Sequence, residues 1–288
     1  MPTTRIAAIV LLGLSAACGP ASTVGDDGTP VADGPTAPPD ATPPTTPPDA
    51  PRPPDWGDGG MPPAPCGNLK ATIRDFTCDN PDALRPFECT PSAGHPDFKH
   101  YGGIAETTGL LRLTLGPDRK PVFAESKGQI TSAESFAAWY RDVPGINQTF
   151  PVELPLTETA PGHYEYATNR FFPIDGRGWN DRLLDGDQME RNFLFTTEIH
   201  TLFKYDPSDE FTFEGDDDLW LFINGHLVLD LGGLHPPSRG TVRMNDWGEL
   251  LQLVPGHLYP MDIFHAERSP DSSDFIVQTS IDCFVEPG

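Results

Sequence analysis

The chain has 288 residues, 34 of them proline and 28 glycine, and a formal net charge of −23. Charge of that sign repels phosphate backbones and anionic lipid, so nucleic acid is excluded as a partner, while divalent cations and neutral ligands are favoured. The excess is concentrated after residue 65, where the chain carries −18.

Residues 1–17, "MPTTRIAAIVLLGLSAA", place Arg5 ahead of an apolar run from Ile6 to Leu14 that is too short to span a bilayer. A basic start, an apolar centre and small residues at the end describe a signal peptide. Because Cys18 follows at once, "LSAAC" resembles a bacterial lipobox, although Leu14 stands one place further from the cysteine than usual. The resemblance implies acylation of Cys18, and Gly19 rather than aspartate after it implies the outer membrane or cell surface. Residues 18–65 form a Pro-rich tether with almost nothing to bury, and its prolines favour extended polyproline II.

With Cys18 set aside as a lipid anchor, Cys66, Cys78, Cys89 and Cys283 remain, an even number in an exported chain. Four cysteines allow three pairings. Cys78 and Cys89 flank a short polar loop, whereas Cys66 and Cys283 lie at the two ends of the globular part, which favours 78–89 and 66–283.

Residues 66–288 suit one all-β domain of about 220 residues. "SAESFAAWYRDV" (132–143) is the best helix, with Ser132 as N-cap and Phe136, Trp139 and Tyr140 on one face. Elsewhere the apolar period is two. Strands are predicted over 192–205, 210–215, 258–267 and 274–283. "DLWLFI" and "HLVLDL" are joined by Asn224-Gly225, the residues of a type I′ turn, so Ile223 faces His226, Phe222 faces Leu227 and Leu221 faces Val228. Many short strands with turn residues between them predict an antiparallel sandwich with one or two short helices.

Asp216, Asp217 and Asp218 stand directly before that hairpin. One reading is a solvated loop end, which explains poorly why charge abuts a run that must be buried. The other is a hard cation, since Ca²⁺ takes six to eight oxygens and suits carboxylates. A trans peptide in a strand holds neighbouring side chains apart, so a cis Asp216–Asp217 bond is expected to bring the two together.

"FTFEGDDDLWLFINGHLVLDLGG", "FFPIDG", "FTTEIHTLFKY" and "FHAERSPDSSDF" resemble the fibro-slime family, related to the PA14 β-sandwich superfamily, over nearly all of 69–283. The resemblance implies Ca²⁺ held by an Asp-Asp pair, here Asp216 and Asp217, with sugar hydroxyls completing its shell. Asp274 then falls where the family tends to have an amide ligand and is the expected third ligand, with Asp271 the alternative. Asp218 occupies the small-residue position after the pair and is a candidate for contact with ligand.

Trp179, in the Gly-rich loop "DGRGWNDR", and Trp247, in "MNDWGEL", are candidate platforms for a sugar face, whereas strand and helix spacing put Trp139 and Trp220 in the core. Asp230 is expected to order the Gly232-Gly233 turn. Glu267 beside Arg268 reads as a structural charge pair, and the sequon at Asn147 as incidental. There is no GxSxG elbow, HExxH, P-loop or GxGxxG after a strand, so the expected function is non-catalytic, calcium-assisted binding of extracellular or cell-surface carbohydrate. A matrix protein stapled by calcium is the first alternative, and a polysaccharide-acting enzyme the second.

Overall fold

The structure is a computed structural model that describes residues 68–77, 95–98, 105–179, 182–269 and 272–287. Signal peptide, tether, Cys18, Cys66, Cys78, Cys89 and Asp271 all lie outside the described residues. In chain order come β1 (Leu69–Phe76), a 3₁₀ turn (Pro96–Phe98), α1 (Ala133–Ala137), β2 (Asn147–Leu154), β3 (Thr157–Ala160), β4 (His163–Thr168), β5 (Leu183–Leu184) and β6 (Glu190–Arg191). They are followed by β7 (Phe195–Lys204), β8 (Glu210–Gly215), β9 (Asp218–Ile223), β10 (His226–Leu231), β11 (Ser238–Arg243), α2 (Met244–Gly248), β12 (Leu258–Glu267), β13 (Phe275–Thr279) and β14 (Phe284–Val285).

All pairings between these strands are antiparallel. One sheet runs β10-β9-β12-β7-β1-β2, with β14 also paired to β7, and the other runs β11-β8-β13-β4-β3. Ile199, Leu221 and Ile263 from the first sheet and Phe213, Phe275 and Val277 from the second share one core cluster. The expected antiparallel β-sandwich is therefore the observed fold, with two short helices.

The larger sheet is covered on both faces. Along β9 every residue is buried. The strand's two-residue period sends Leu219, Leu221 and Ile223 into the sandwich core. Trp220 and Phe222 instead join Phe136, Trp139, Tyr140 and Phe264 in a second cluster on the outer face. Asp218 is in phase with Trp220 and so belongs to that outer, aromatic-covered side.

Local signals are realised with adjustments. Asn224 and Gly225 take φ of +50° and +77°, as the turn requires. His226 pairs with Ile223 and Leu227 with Phe222, but Leu229, not Val228, faces Leu221. A bulge at Val228 supplies the extra residue. α1 has Ser132 as N-cap in a capping box with Ser135, yet spans only five residues. It stops early because Asn147 captures the chain beyond it: Nδ2 donates to the carbonyls of Ala138 and Arg141, both at 2.8 Å, and Oδ1 accepts from the Val143 N–H at 3.0 Å. Asn147 is thus a structural residue. The strand expected from 192 begins at Phe195, since the Asn192 side chain donates to Asp75 and accepts from the Leu194 N–H instead of leaving the backbone in the ladder.

Candidate functional site

Asp216 to Asp218 lie where β8 leaves one sheet and β9 enters the other, and none is solvated: they are 4%, 2% and 0% exposed. The peptide bonds of the described residues are all trans, so the expected cis Asp216–Asp217 bond is not present. Asp217 takes φ of +55° instead. This left-handed conformation, which aspartate tolerates better than most residues, breaks the strand's alternation at the crossing.

The three carboxylates have different partners. Asp216 Oδ1 accepts from the Asp274 N–H at 2.7 Å, and Oδ2 accepts from the Ser272 hydroxyl. Asp217 Oδ2 accepts from the Arg268 N–H at 2.6 Å. Asp218 Oδ1 accepts from the Gly233 N–H at 2.7 Å, and Oδ2 accepts from Arg268 Nε at 2.7 Å. Asp218 has both oxygens engaged and no exposure, so it holds the fold rather than meeting a ligand. The Arg268 guanidinium also donates to the Gln129 carbonyl at 2.9 Å and lies 4.9 Å from the centroid of the Trp139 ring. Arg268 therefore neutralises Asp218, and not Glu267 as the sequence reading has it.

Glu267, which the sequence reading pairs with Arg268, is the fourth acid of this crossing. The last paired rung between β9 and β12 sets Asp218 opposite Ala266, and just beyond it the carboxyls of Asp217 and Glu267 come close enough to interact. Glu267 is fully buried. Its Oε1 accepts from the Ser269 N–H at 3.1 Å, while Oε2 meets no donor. Burial, followed by the charges of Asp217 and Asp216, pushes its carboxyl well above the usual range. Asp217 is pushed up to about 7, first by burial and then, against the relief given by Arg268, by Asp218 and Asp216. Asp216 is raised by burial although Ser272 and Asp274 donate to it. Asp274 is only partly buried and is raised by burial and by Asp216 and Glu214.

Asp216 and Asp217 open onto a cavity of about 140 Å³ that is also lined by His235, Pro237, Ser269 and Ser272. Buried oxygens with excess negative charge and one orphaned acceptor suit a hard cation in kind. In number they fall short: among the described residues, no three Asp, Glu, His or Cys side chains form a ready metal-holding set.

The two half-buried tryptophan candidates separate. Trp179 is half-buried, and its main-chain N–H donates to Asp75 Oδ2 at 2.7 Å. Asp75 faces Phe195, which faces Glu267, so the strand residue that Trp179 binds lies roughly 10 Å from Glu267 at two strand spacings. Trp247 on α2 packs against the main core and follows the Arg243–Glu210 rung. It lies at the far end of β8, roughly 20 Å from Asp216. Asp230 Oδ1 accepts from the Gly232 N–H at 3.2 Å and from Trp220 Nε1 at 2.9 Å, which orders the turn as expected. Trp139 and Trp220 are both fully buried.

Residues 185–282, which include the whole acidic crossing, match the PA14 domain family. Protein psiR of Dictyostelium discoideum is 35% identical over 208 residues, covering 68% of this chain and 20% of psiR. Protein psiQ of the same organism is 37% identical over 209 residues, with the same shares of each chain. The chain thus spans about a fifth of the length of these two relatives. Among solved structures, a PA14 sugar-binding domain from an RTX adhesin aligns over 31% of this chain and 49% of its own, at 12% identity and a TM-score of 0.22.

Proposed function

We propose that this chain is a non-catalytic recognition protein whose fibro-slime/PA14-like sandwich binds carbohydrate with the help of Ca²⁺. The match of 185–282 to PA14, an adhesion-type and carbohydrate-binding kind of domain, supports a binding role. The observation that carries the reading is the Asp216–Asp217 pair, buried but opening onto a cavity while short of positive partners. These two would hold the ion, with Asp274 at the edge. When bound, Ca²⁺ would supply open coordination positions for vicinal hydroxyls. Ser272 and the Asp274 N–H orient Asp216, the Arg268 N–H orients Asp217, and Trp179 is held by its main chain to Asp75.

A second reading, a matrix protein in which the ion only staples loops, is favoured by one feature: Asp216 and Asp217 accept from three residues of the 268–274 segment. Glycan-array binding by the purified chain with and without EGTA separates the two. Sugar binding lost in EGTA supports recognition, whereas calcium-dependent stability with no sugar bound supports the staple. Turnover of soluble glycans would overturn both in favour of an enzyme.

The envelope context belongs to the same proposal: Cys18 as the acylated anchor, 18–65 as the stalk, and display at the outer membrane or cell surface. Cys283 is buried and disulfide-bonded; Cys66 is the partner proposed for it, with Cys78–Cys89 as the second pair.

A further inference from the structure

We infer that the cavity framed by Asn169, Arg170, Phe172, Asp185, Asp187 and Ser272 is a subsite for one neutral, hydroxyl-bearing sugar ring. The inference rests on the carbohydrate reading above, but the subsite is built from side chains alone and calls for no ion.

Three observations carry it. First, this cavity, of about 170 Å³, shares Ser272 with the one onto which Asp216 and Asp217 open, so the two adjoin at that residue. Second, its walls are held by the fold. Arg170 and Ser273 form a parallel bridge; the Phe171 N–H donates to the Ser273 carbonyl and the Ser273 hydroxyl to the Phe171 carbonyl, both at 2.9 Å. Asp185 is buried, and its Oδ1 accepts from the N–H groups of Asp187 and Met189 at 2.9 and 2.7 Å, which fixes the 185–189 turn. The Phe172 ring meets Phe193 edge to face at 4.9 Å between centroids, and the Arg191 guanidinium lies 4.9 Å from its centre. A site fixed beforehand loses little freedom on binding.

Third, donors and acceptors stand side by side with capacity to spare. Arg170 reaches Asp185 Oδ2 and Asp187 Oδ2 at 3.3 Å each, longer than the roughly 2.7–2.9 Å of a tight charge-assisted bond. Among the described residues, only Arg170 bonds the Asp187 carboxylate, and the Asn169 amide bonds nothing. A hydroxyl donates and accepts at once, so one inserted here satisfies a carboxylate and a guanidinium together. Phe172 supplies the apolar wall that the C–H face of a sugar ring needs.

Charge selects against other ligands. Asp175, Asp185 and Asp187 outnumber Arg170 and Arg191, which pair with them, so an anion is repelled. Arg170 already occupies the place between Asp185 and Asp187, which a metal ion would have to take from it.

The test titrates the full chain in CaCl₂ with D-glucose, D-galactose, D-mannose and N-acetyl-D-glucosamine, and with N-acetylneuraminic acid as the anionic comparison, by ligand-observed NMR. Melting curves establish that each variant is folded. At least one neutral sugar is expected to bind wild type, and more tightly than the anionic one. Asp187→Ala and Arg170→Gln should each weaken that binding about tenfold or more, the scale of a hydrogen bond to a charged group. Arg243→Gln, at an exposed arginine paired with Glu210, should leave it unchanged. Asp187 is exposed and its side chain bonds only Arg170, so Asp187→Ala carries the test should Arg170→Gln fail to fold. Wild-type affinity in folded Asp187→Ala, or tighter binding of N-acetylneuraminic acid, would overturn the subsite while leaving the carbohydrate reading intact. No sugar bound by wild type would overturn both.

Discussion

Arg268 Nε donates to Asp218 Oδ2 at 2.7 Å, and neither side chain has any contact with solvent. Breaking a buried pair from one side leaves an uncompensated charge, which costs about 3–5 kcal/mol. Arg268→Met is therefore expected to lower the unfolding free energy by about that amount in urea. The double variant Arg268→Met/Asp218→Asn should recover most of the loss, because the amide oxygen still accepts from the Gly233 N–H. Equal instability in the single and double variants would refute the charge argument.

Asp217→Asn probes the opposite situation, a carboxylate whose burial is unfavourable without a partner. Asparagine accepts the positive φ that Asp217 adopts, so the backbone is left unstrained. In EGTA the variant is expected to melt no lower than wild type. In calcium it should forgo the stabilisation that binding confers, about 2.7 kcal/mol at a hundredfold excess over Kd. An equal drop in both buffers would mean that the residue acts through folding alone.

A separate network on the outer face of the larger sheet carries a pH response of its own. His200 bridges Glu198 and Asp262, with Nδ1 at 2.5 Å from Asp262 Oδ1; Arg74 reaches Glu198 at 2.5 Å, while Lys120 and Arg119 close over the two carboxylates from the 116–120 loop. Burial opposes the His200 imidazolium, but hydrogen bonds to Asp262 and Glu198 outweigh it and raise the pKa above 6.5. Burial likewise opposes the Glu198 carboxylate, yet His200, Arg74 and Lys120 hold it down to about 2. The histidine contribution is complete below pH 6.5 and is lost as pH rises through the folded value. The glutamate contribution is complete above pH 4.5 and is lost as pH falls through about 2. Both are whole between pH 4.5 and 6.5, where the network's share of stability should peak. His200→Gln should shrink the alkaline decline followed by thermal melts across pH 5 to 9, leaving the part that Asp217, raised to about 7, loses over the same range, and a decline of unchanged size would exclude the histidine.

Cys18→Ser addresses the proposed anchor. The variant is expected to move from the detergent-extracted membrane fraction to the soluble fraction, and unchanged partitioning would argue against acylation.

Much of the local geometry was legible in the residues. Asn-Gly announced the hairpin, Ser132 the start of α1, and the limits of β8 and β12 coincide with the predicted runs. The acidic triplet also marked the crossing from β8 to β9 as the place to look, because so much charge beside "LWLFI" needs a physical account. What it could not convey was which charge each aspartate meets. Asp218 lies fifty residues from Arg268, so their pairing depends on β12 lying beside β9 in one particular register.

Capping, turn and alternation act over a few residues and are written in composition and spacing. Tertiary structure alone decided the partners, since a one-residue change in that register would turn Glu267 and Arg268 to the opposite faces of the sheet. It also decided that the strand residue holding Trp179 lies two strands from Glu267 and that Trp247 lies at the far end of β8, because strand order and direction place side chains distant in sequence at one end of a sandwich or the other.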